Sequence, residues 1–414
     1  MKLLIITQYF PPETGAPQAR LSELATRLRK MGHEITVLTS MPNYPTGKIF
    51  KSYHNKIKLT ENIDNMKVIR TWLYPSNSSR LFPRFFCYFS FALSAILLGI
   101  WGIGRHDLVI IESPPLFLVP SGLLISKSAG GKSVMMVADM WPDILIRMGH
   151  AKEGWGVKAM LWLEKFCYDH CSAIALTSPG GVDLLQQRFP YLKNITVISN
   201  GVDTGMFRPE LRSAEVRAEL GAQPDDFLVG YCGLHGLAQG LEVVLQAAAQ
   251  LRDKNNIKFI LMGDGPTKEK LQEMASYLKL SNLTFIDRRP KNDMPKILAS
   301  LDASLAPLSV PIPYAMPSKV YEAWASGVPP IIAKGSECAT LVMQKTAGCC
   351  YQPGNADDLA CVIKQLADNR ELWLSMREHC RQLAARFDRD VISRRTEAML
   401  RAIAEDKPLP PVIW

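Results

Sequence analysis

The residues best placed to do chemistry lie in "PYAMPSKVYEAWASGVPPIIA", residues 313–333. Lys319 and Glu322 stand three apart, just behind Pro317 and Ser318, and the small-residue stop Ala325-Ser326-Gly327 precedes the apolar run Val328–Ala333. This spacing predicts a short helix running into a strand, with Ser318 as its cap. At helical spacing the pair can be a surface ion pair worth about 0.3 kcal/mol. It can also be a ligand clamp, with an anion held at the helix start by the lysine and the free amides behind it.

Other candidates fall where strands are expected to end. "VADMWPDILIRMG" places Asp139 and Asp143 four apart across Pro142, at the carboxyl end of a predicted strand, where doubly wound sheets collect ligands. The spacing is not that of a D-x-D metal site, and Asp143 can equally cap the next helix. "PPETGAPQAR" follows the first strand and opens the first helix, and Gly15 permits close backbone approach there. "LMGDGP" repeats the arrangement, with Gly263, Asp264 and Gly265 ahead of a helix from Pro266, so that backbone amides can face a phosphate. "ISNGVDTGMF" adds an Asn200-Gly201 turn followed by Asp203. No G-x-G-x-x-G fingerprint, P-loop, H-E-x-x-H or Ser-His-Asp pattern occurs, which counts against dinucleotide redox chemistry, ATPases and hydrolases. Cys167, His170 and Cys171 lack a second ligand pair at zinc spacing and fit one face of an amphipathic helix, so no metal site is expected.

The elements that must position these residues read as short apolar runs alternating with helices. "KLLIITQ", "EITVLTS", "DLVIIES", "SVMMVAD", "SAIALTS" and "NITVIS" form one series. The pattern restarts after residue 208 with "DFLVGYCG", "IKFILMGDGP", "LTFID", "LDASLAPL" and "VPPIIA". This is the signature of parallel, doubly wound sheets covered on both faces. The expected class is α/β, with two Rossmann-like halves in tandem. Residues 1–205 form an N-terminal domain and 206–390 a C-terminal one, and a closing helix and tail, 391–414, cross back to the first. A chain of 414 residues supports two such cores.

The net charge of +9 points to anionic partners: a nucleotide, a phospholipid surface or, ranked last because the cations are scattered, nucleic acid. Nine cysteines without regular spacing fit a reducing, cytoplasmic compartment. The N-terminal "MKLLIITQYFPPE" reads as a buried strand rather than a secretory signal. One segment departs from this pattern. Phe85–Gly104, "FFCYFSFALSAILLGIWGIG", is uncharged, flanked by Arg84 and Arg105, and long enough to span a bilayer. Strands of one sheet precede and follow it, so the chain must return to the same side. A helix partly buried in the protein and partly dipped into one leaflet meets both conditions, although a wholly buried core helix remains open.

Taken in order, the early Gly loop, "SNGVD", "GDGP" and "PSKVYEAWASGVP" resemble a GT-B glycosyltransferase of the family 4, retaining type, over nearly the whole chain. "ITQYFPPE", "MPNYPTGK", "DMWPD" and "HGLAQGLE" are similar to the bacterial L-fucosamine transferase-like enzymes of surface polysaccharide biosynthesis. The resemblance implies two domains facing across a cleft and a nucleotide-diphosphate sugar bound mainly by the C-terminal half. Glu322 would take the ribose hydroxyls, and Asn200, Gly263, Asp264, Gly265 and Ser318 would lie about the donor. Lys319 would face the diphosphate, and Gly15 would reach it from the other domain. The acceptor, a saccharide on a polyprenyl diphosphate, would sit on the N-terminal domain near Asp143, with His235 also among its contacts. Asp139 would join Lys319 as a catalytic residue by orienting the donor sugar or the acceptor. The protein would be peripheral on the inner face of the cytoplasmic membrane. No metal or cofactor is implied. Two positions depart from the family pattern. Tyr314 stands where a first glutamate is usual, and His235 and Gln239 lie where an Arg and a Lys usually grip the diphosphate. Lys319, with Arg288 or Arg289, must then supply the charge. A sugar-nucleotide 2-epimerase of the same fold, or a catalytically silent membrane-associated scaffold, are the alternatives.

Overall fold

A computed structural model of the chain describes residues 1–414 except 15, 77, 79, 80, 150, 152, 153 and 413. The chain divides into two compact units, residues 1–199 with 392–414, and residues 200–391.

The first unit runs β1 (Lys2–Ile6), α1 (Ala16–Lys30), β2 (Glu34–Ser40), β3 (Lys58–Ile63), β4 (Met66–Thr71), α2 (Leu81–Ser94), β5 (Leu108–Ser113), α3 (Leu118–Ala129), β6 (Lys132–Val137), α4 (Asp143–Arg147), α5 (Trp155–His170), β7 (Ala173–Leu176), α6 (Pro179–Arg188) and β8 (Ile195–Val197). Its sheet has the order β3-β4-β2-β1-β5-β6-β7-β8. The central strands are uninterrupted apolar runs because both their faces are covered: Leu3–Ile6 and Leu108–Ile111 are fully buried. The chain leaves β1 for β2 in one direction and later crosses from β4 to β5 in the other. The order therefore reverses between β1 and β5, and the crevice beyond the carboxyl ends of those two strands is where such sheets bind ligands.

One edge differs from the expected parallel sheet. β3 pairs antiparallel with β4 through the two-residue turn Asp64-Asn65, whose φ values are 50° and 59°. Both residues tolerate this left-handed backbone, which matches the twist of a tight hairpin.

The apolar segment expected over 85–104 begins earlier, at Leu81. It is α-helical to Ser94, passes into a π-helical turn at Ala95–Gly99, and ends there. A Cβ on Gly99 would collide with Leu38 on β2, so the glycine lets the helix end lie against the sheet. The stretch Phe82–Gly99 is long and apolar enough to cross a membrane, yet 44% of it is buried in the fold. Its outward stripe, Phe82, Phe86, Phe89, Leu93 and Leu97, is exposed.

The second unit follows as α7 (Ala214–Glu219), β9 (Phe227–Cys232), α8 (Glu242–Gln250), β10 (Ile257–Met262), α9 (Lys268–Tyr277), β11 (Leu283–Ile286), α10 (Met294–Ala299), β12 (Ala303–Ala306), α11 (Ser318–Ala325), β13 (Pro330–Ala333), α12 (Glu337–Gln344), β14 (Cys349–Tyr351), α13 (Ala356–Asp368) and α14 (Arg370–Arg386). Its sheet is parallel throughout, in the order β11-β10-β9-β12-β13-β14. The closing helix α15 (Arg389–Ala404) begins in this unit and belongs to the first from Ile392 onward.

The step between units falls at 199/200 rather than at 205/206. The amide of Val202 donates to Phe387 O (3.0 Å), Arg389 returns a bond to Val202 O (2.9 Å), and the Thr204 hydroxyl donates to Asp388 (2.5 Å). These bonds tie "NGVDT" to the second unit, where a reading by strand pattern sees only a turn.

Candidate functional site

In the second unit the candidates gather at the carboxyl edge of the sheet. Helix α11 is anchored there by its buried face. Val320, Tyr321, Ala323 and Trp324 are fully buried, and the Trp324 indole donates to Ala347 O (2.9 Å). Lys319 and Glu322 occupy the other side of the helix and are half-buried. The Lys319 Nζ lies over the ring of Tyr231, 3.7 Å from its centroid, and the Tyr231 hydroxyl is fixed by a bond to Leu234 O (2.6 Å). Burial pulls the Lys319 ammonium down to about 8, against the opposing influence of Cys232 and Glu322. A cation in this state gains more from an incoming anion than a hydrated surface lysine would, because its desolvation has already been met by the fold.

Glycines build the floor beneath it. A Cβ on Gly233 would strike the Lys319 ammonium end, so glycine here lets that side chain keep its place over Tyr231. A Cβ on Gly263 would overlap the carbonyl of Gly233, and one on Gly265 the carbonyl of His235. The loop after β9 and the loop after β10 are thus stacked backbone on backbone, joined by His235 N–H to Asp264 O (2.9 Å) and Thr267 N–H to His235 O (3.1 Å).

This arrangement corrects several sequence expectations. The Gly263 amide donates to Ile286 O (2.9 Å) and the Gly265 amide to the Asp264 side chain (2.8 Å), so neither faces an open phosphate site. These glycines provide close approach between loops instead. Ser318 is the first helical residue and not the cap, since Pro317 holds the cap position with no side-chain bond. His235 is fully buried between Tyr231 and Phe285, beside the backbone of Met262. It therefore presents no side chain to an acceptor. Tyr314 is buried, and the Gln239 Oε1 is enclosed without a partner among the described residues, so neither replaces a missing charged group. Arg288 and Arg289 are exposed on the loop after β11, which β10 separates from β9. Asp264 is exposed and Asn200 half-buried.

In the first unit, Gly15 lies outside the described residues. The carboxyl edge around the β1–β5 reversal holds a polar cluster that sequence reasoning missed. Glu112, the buried penultimate residue of β5, accepts from the Thr7 hydroxyl and from Arg20 Nη2 (3.0 Å). Burial raises the Glu112 carboxyl, Arg20 and Thr7 oppose the rise, and the nearby Asp139 adds to it. Arg20 thereby serves two carboxylates, Glu112 and Asp139. Asp139 is open to solvent, so although the surrounding protein raises its carboxyl and Arg20 opposes that, water screens both effects. Asp143 is the first residue of α4 and pairs with Arg147 (2.6 Å), a helix-surface ion pair. A second missed carboxylate, Glu13, is buried and accepts from the amides of Asn43 (2.8 Å), Tyr44 (2.8 Å) and Phe10 (3.2 Å). It stitches the loop after β1 to the loop after β2. The signal for Glu112 was present in "DLVIIES", where a charged residue closes an otherwise apolar strand.

Each unit matches one known family. Residues 18–205 match Glycosyltransferase Family 4, and residues 213–386 match Glycosyl transferases group 1. The chain is a glycosyltransferase of the GT-B type. It is similar to the Escherichia coli (strain K12) protein WcaI, a colanic acid biosynthesis glycosyl transferase by name, with 26% identity over 88% of this chain and 92% of WcaI. Another relative is an Escherichia coli protein named UDP-Gal:alpha-D-GlcNAc-diphosphoundecaprenol alpha-1,3-galactosyltransferase, 25% identical over 53% of this transferase and 57% of that protein. Among solved structures, Anabaena HepE in complex with UDP and glucose superposes with a TM-score of 0.73 and 19% identity, over 97% of this chain and all of that one. The last likeness concerns the fold.

Proposed function

We propose that this glycosyltransferase moves a sugar from a nucleotide-diphosphate donor to a saccharide carried on a polyprenyl diphosphate, with retention at the anomeric carbon, in bacterial surface polysaccharide biosynthesis. The observation that carries the reading is the partly desolvated ammonium of Lys319, held over Tyr231 next to Glu322 at the carboxyl edge of a parallel sheet. A leaving nucleoside diphosphate gains negative charge as the glycosidic bond breaks. A cation fixed in place beforehand stabilises that charge without reorganising. Glu322, one turn further along α11, takes the ribose hydroxyls. Departure of the diphosphate and entry of the acceptor hydroxyl on the same face of the sugar need no protein nucleophile, because the hydroxyl passes its proton to the departing phosphate oxygen as the new glycosidic bond forms. Asp139, held in the field of Arg20, orients the donor sugar or the acceptor hydroxyl. Neither step calls on a metal.

The relatives support a lipid-linked acceptor, one being named for a diphosphoundecaprenol-linked sugar and another for colanic acid biosynthesis. The exposed apolar stripe of α2 fits the same reading, since an acceptor anchored in a membrane requires an enzyme that works at its cytoplasmic surface. The test is a panel of uridine- and guanosine-diphosphate sugars, each incubated with purified protein with and without a polyprenyl-diphosphate sugar. Transfer to the lipid with α-configured product from an α-configured donor is expected. Isomerised donor in the absence of acceptor, or no nucleotide release with any pair, overturns it.

A further inference from the structure

Helix α5 carries a feature that the transferase reading leaves unused. Its Trp155 and Trp162 are 87% and 66% exposed, seven residues apart on one face. Trp162 stacks on Phe166 (5.8 Å, 21°) and Phe166 on His170 (4.2 Å, 29°), giving a ladder of rings along the outside of the helix. Two tryptophans so exposed on one helix face exceed the scattered apolar residues of an ordinary soluble surface. The opposite face is ordinary core: Val157, Glu164, Cys167 and Tyr168 are buried.

Topology places this ladder beside the stripe of α2. The connections β4–α2–β5, β5–α3–β6 and β6–α5–β7 all advance in one direction across the sheet, so right-handed crossovers put α2, α3 and α5 on the same side. Helix α3 packs against both α2 and α5 and exposes Leu124 outward. The exposed charges on these three helices, among the described residues, are Arg84, Lys127, Lys158, Lys165 and Asp169, and Asp169 is paired with Lys165 (2.6 Å). Lys158 and Lys165 run alongside the tryptophan stripe at the same seven-residue spacing. The layer is therefore apolar and aromatic at its outer surface and cationic around it.

We propose that α2, α3 and α5 together form one docking face for an anionic lipid leaflet, with the α5 tryptophans as a second anchor beside the α2 stripe. Indole rings settle at the headgroup level, aliphatic and phenyl side chains reach the acyl boundary, and lysines meet lipid phosphates. Charge complementarity favours this occupant over a second copy of the chain, because two such faces would bring like charges together. The proposal rests on the membrane part of the function above and extends it from one helix to three.

Full-length protein is tested by flotation with phosphatidylglycerol-containing vesicles and with phosphatidylcholine vesicles. The wild type floats with the anionic vesicles and is released in part by salt. W155S/W162S lowers the bound fraction about tenfold with unchanged melting temperature, as loss of two interfacial rings requires. K158E weakens binding to anionic vesicles and not to neutral ones. Quenching of tryptophan fluorescence by brominated lipid, large in the wild type and reduced in W155S/W162S, reads the contact directly without depending on bound fraction. If F89D abolishes binding while W155S/W162S floats and is quenched like the wild type, α2 alone docks and this proposal falls. If the wild type floats with neither kind of vesicle, the membrane reading falls and this proposal with it; if it floats and none of the variants changes binding, this proposal alone falls. Variants that alter the oligomeric state in the absence of lipid and leave flotation intact would assign the face to self-association and overturn it.

Discussion

The ammonium of Lys319 sits 3.7 Å from the ring centroid of Tyr231, and a Cβ on Gly233 would collide with that ammonium. The lysine is therefore held by an aromatic face on one side and bare backbone on the other. Replacing it with alanine is expected to lower turnover by roughly a hundredfold, the cost of removing one pre-placed group at a developing charge. Melting temperature should fall little, since α11 is anchored by Tyr321 and Trp324. Steady-state rates of a purified K319A variant check this, and near-normal turnover contradicts the clamp.

As the proposed diphosphate contact, the same lysine is expected to set a pH limit on donor binding. Burial lowers its ionisation to about 8, so the free protein loses the charge as pH rises through that value. A bound diphosphate favours the protonated form, so apparent donor affinity should be full near pH 7 and decline above about 8. Titration of a nucleoside diphosphate across pH 6.5–9.5, compared between wild type and K319M, reads it. A K319M profile that keeps the same decline would assign it to another group.

Gly263 is predicted to be intolerant of any side chain. A Cβ there overlaps the Gly233 carbonyl, a backbone atom with no freedom to move aside, and the glycine φ of 141° is itself costly for an L-residue. G263A should destabilise the protein by at least about 3 kcal/mol. Denaturant melts of the variant measure it.

Glu13 predicts an acid-side effect on stability. Burial raises its carboxyl from the ordinary 4.5 to about 7, against three backbone amides that favour the charged form. A carboxyl raised in the folded state stabilises below its unfolded value and loses that contribution as pH rises through the folded one. Stability should therefore fall between about pH 4.5 and 7 by up to roughly 3 kcal/mol from this group. E13Q, which does not titrate, should show a flatter pH dependence of melting temperature over that window.

The parts of the fold that could be read from sequence were those buried on both faces. β1, β5, β9 and β10 announce themselves as unbroken apolar runs because nothing on them meets water. β3 was missed because its residues alternate between half-exposed and exposed, leaving a pattern, "KLTENI", with no apolar face, and β4 was missed although mostly buried, because Lys67 and Arg70 break the apolar run of "MKVIRT". The three-residue β14 is too short to carry a period. In the site, Lys319 and Glu322 were legible since a helix fixes their spacing locally. Tyr231, Gly233 and the Arg20–Glu112 pair were not, since each acquires its role from a partner distant in the chain, 92 positions apart in the last case. The phosphate role expected of "GDGP" failed for a related reason. Sequence shows that a glycine tolerates close approach, but not which backbone does the approaching.

The stacked loops after β9 and β10 also constrain how this enzyme can be altered. With Gly263 set against the backbone of Gly233 and Gly265 against that of His235, neither loop can be exchanged alone. A transplant of the "CGLHG" segment from a relative with another donor preference would meet a mismatched counterpart unless "GDGP" travelled with it. On the proposed donor site, attempts to redirect sugar choice should treat the two segments as a single cassette and vary the exposed rim, Leu234 and Asp264, while leaving the glycines in place.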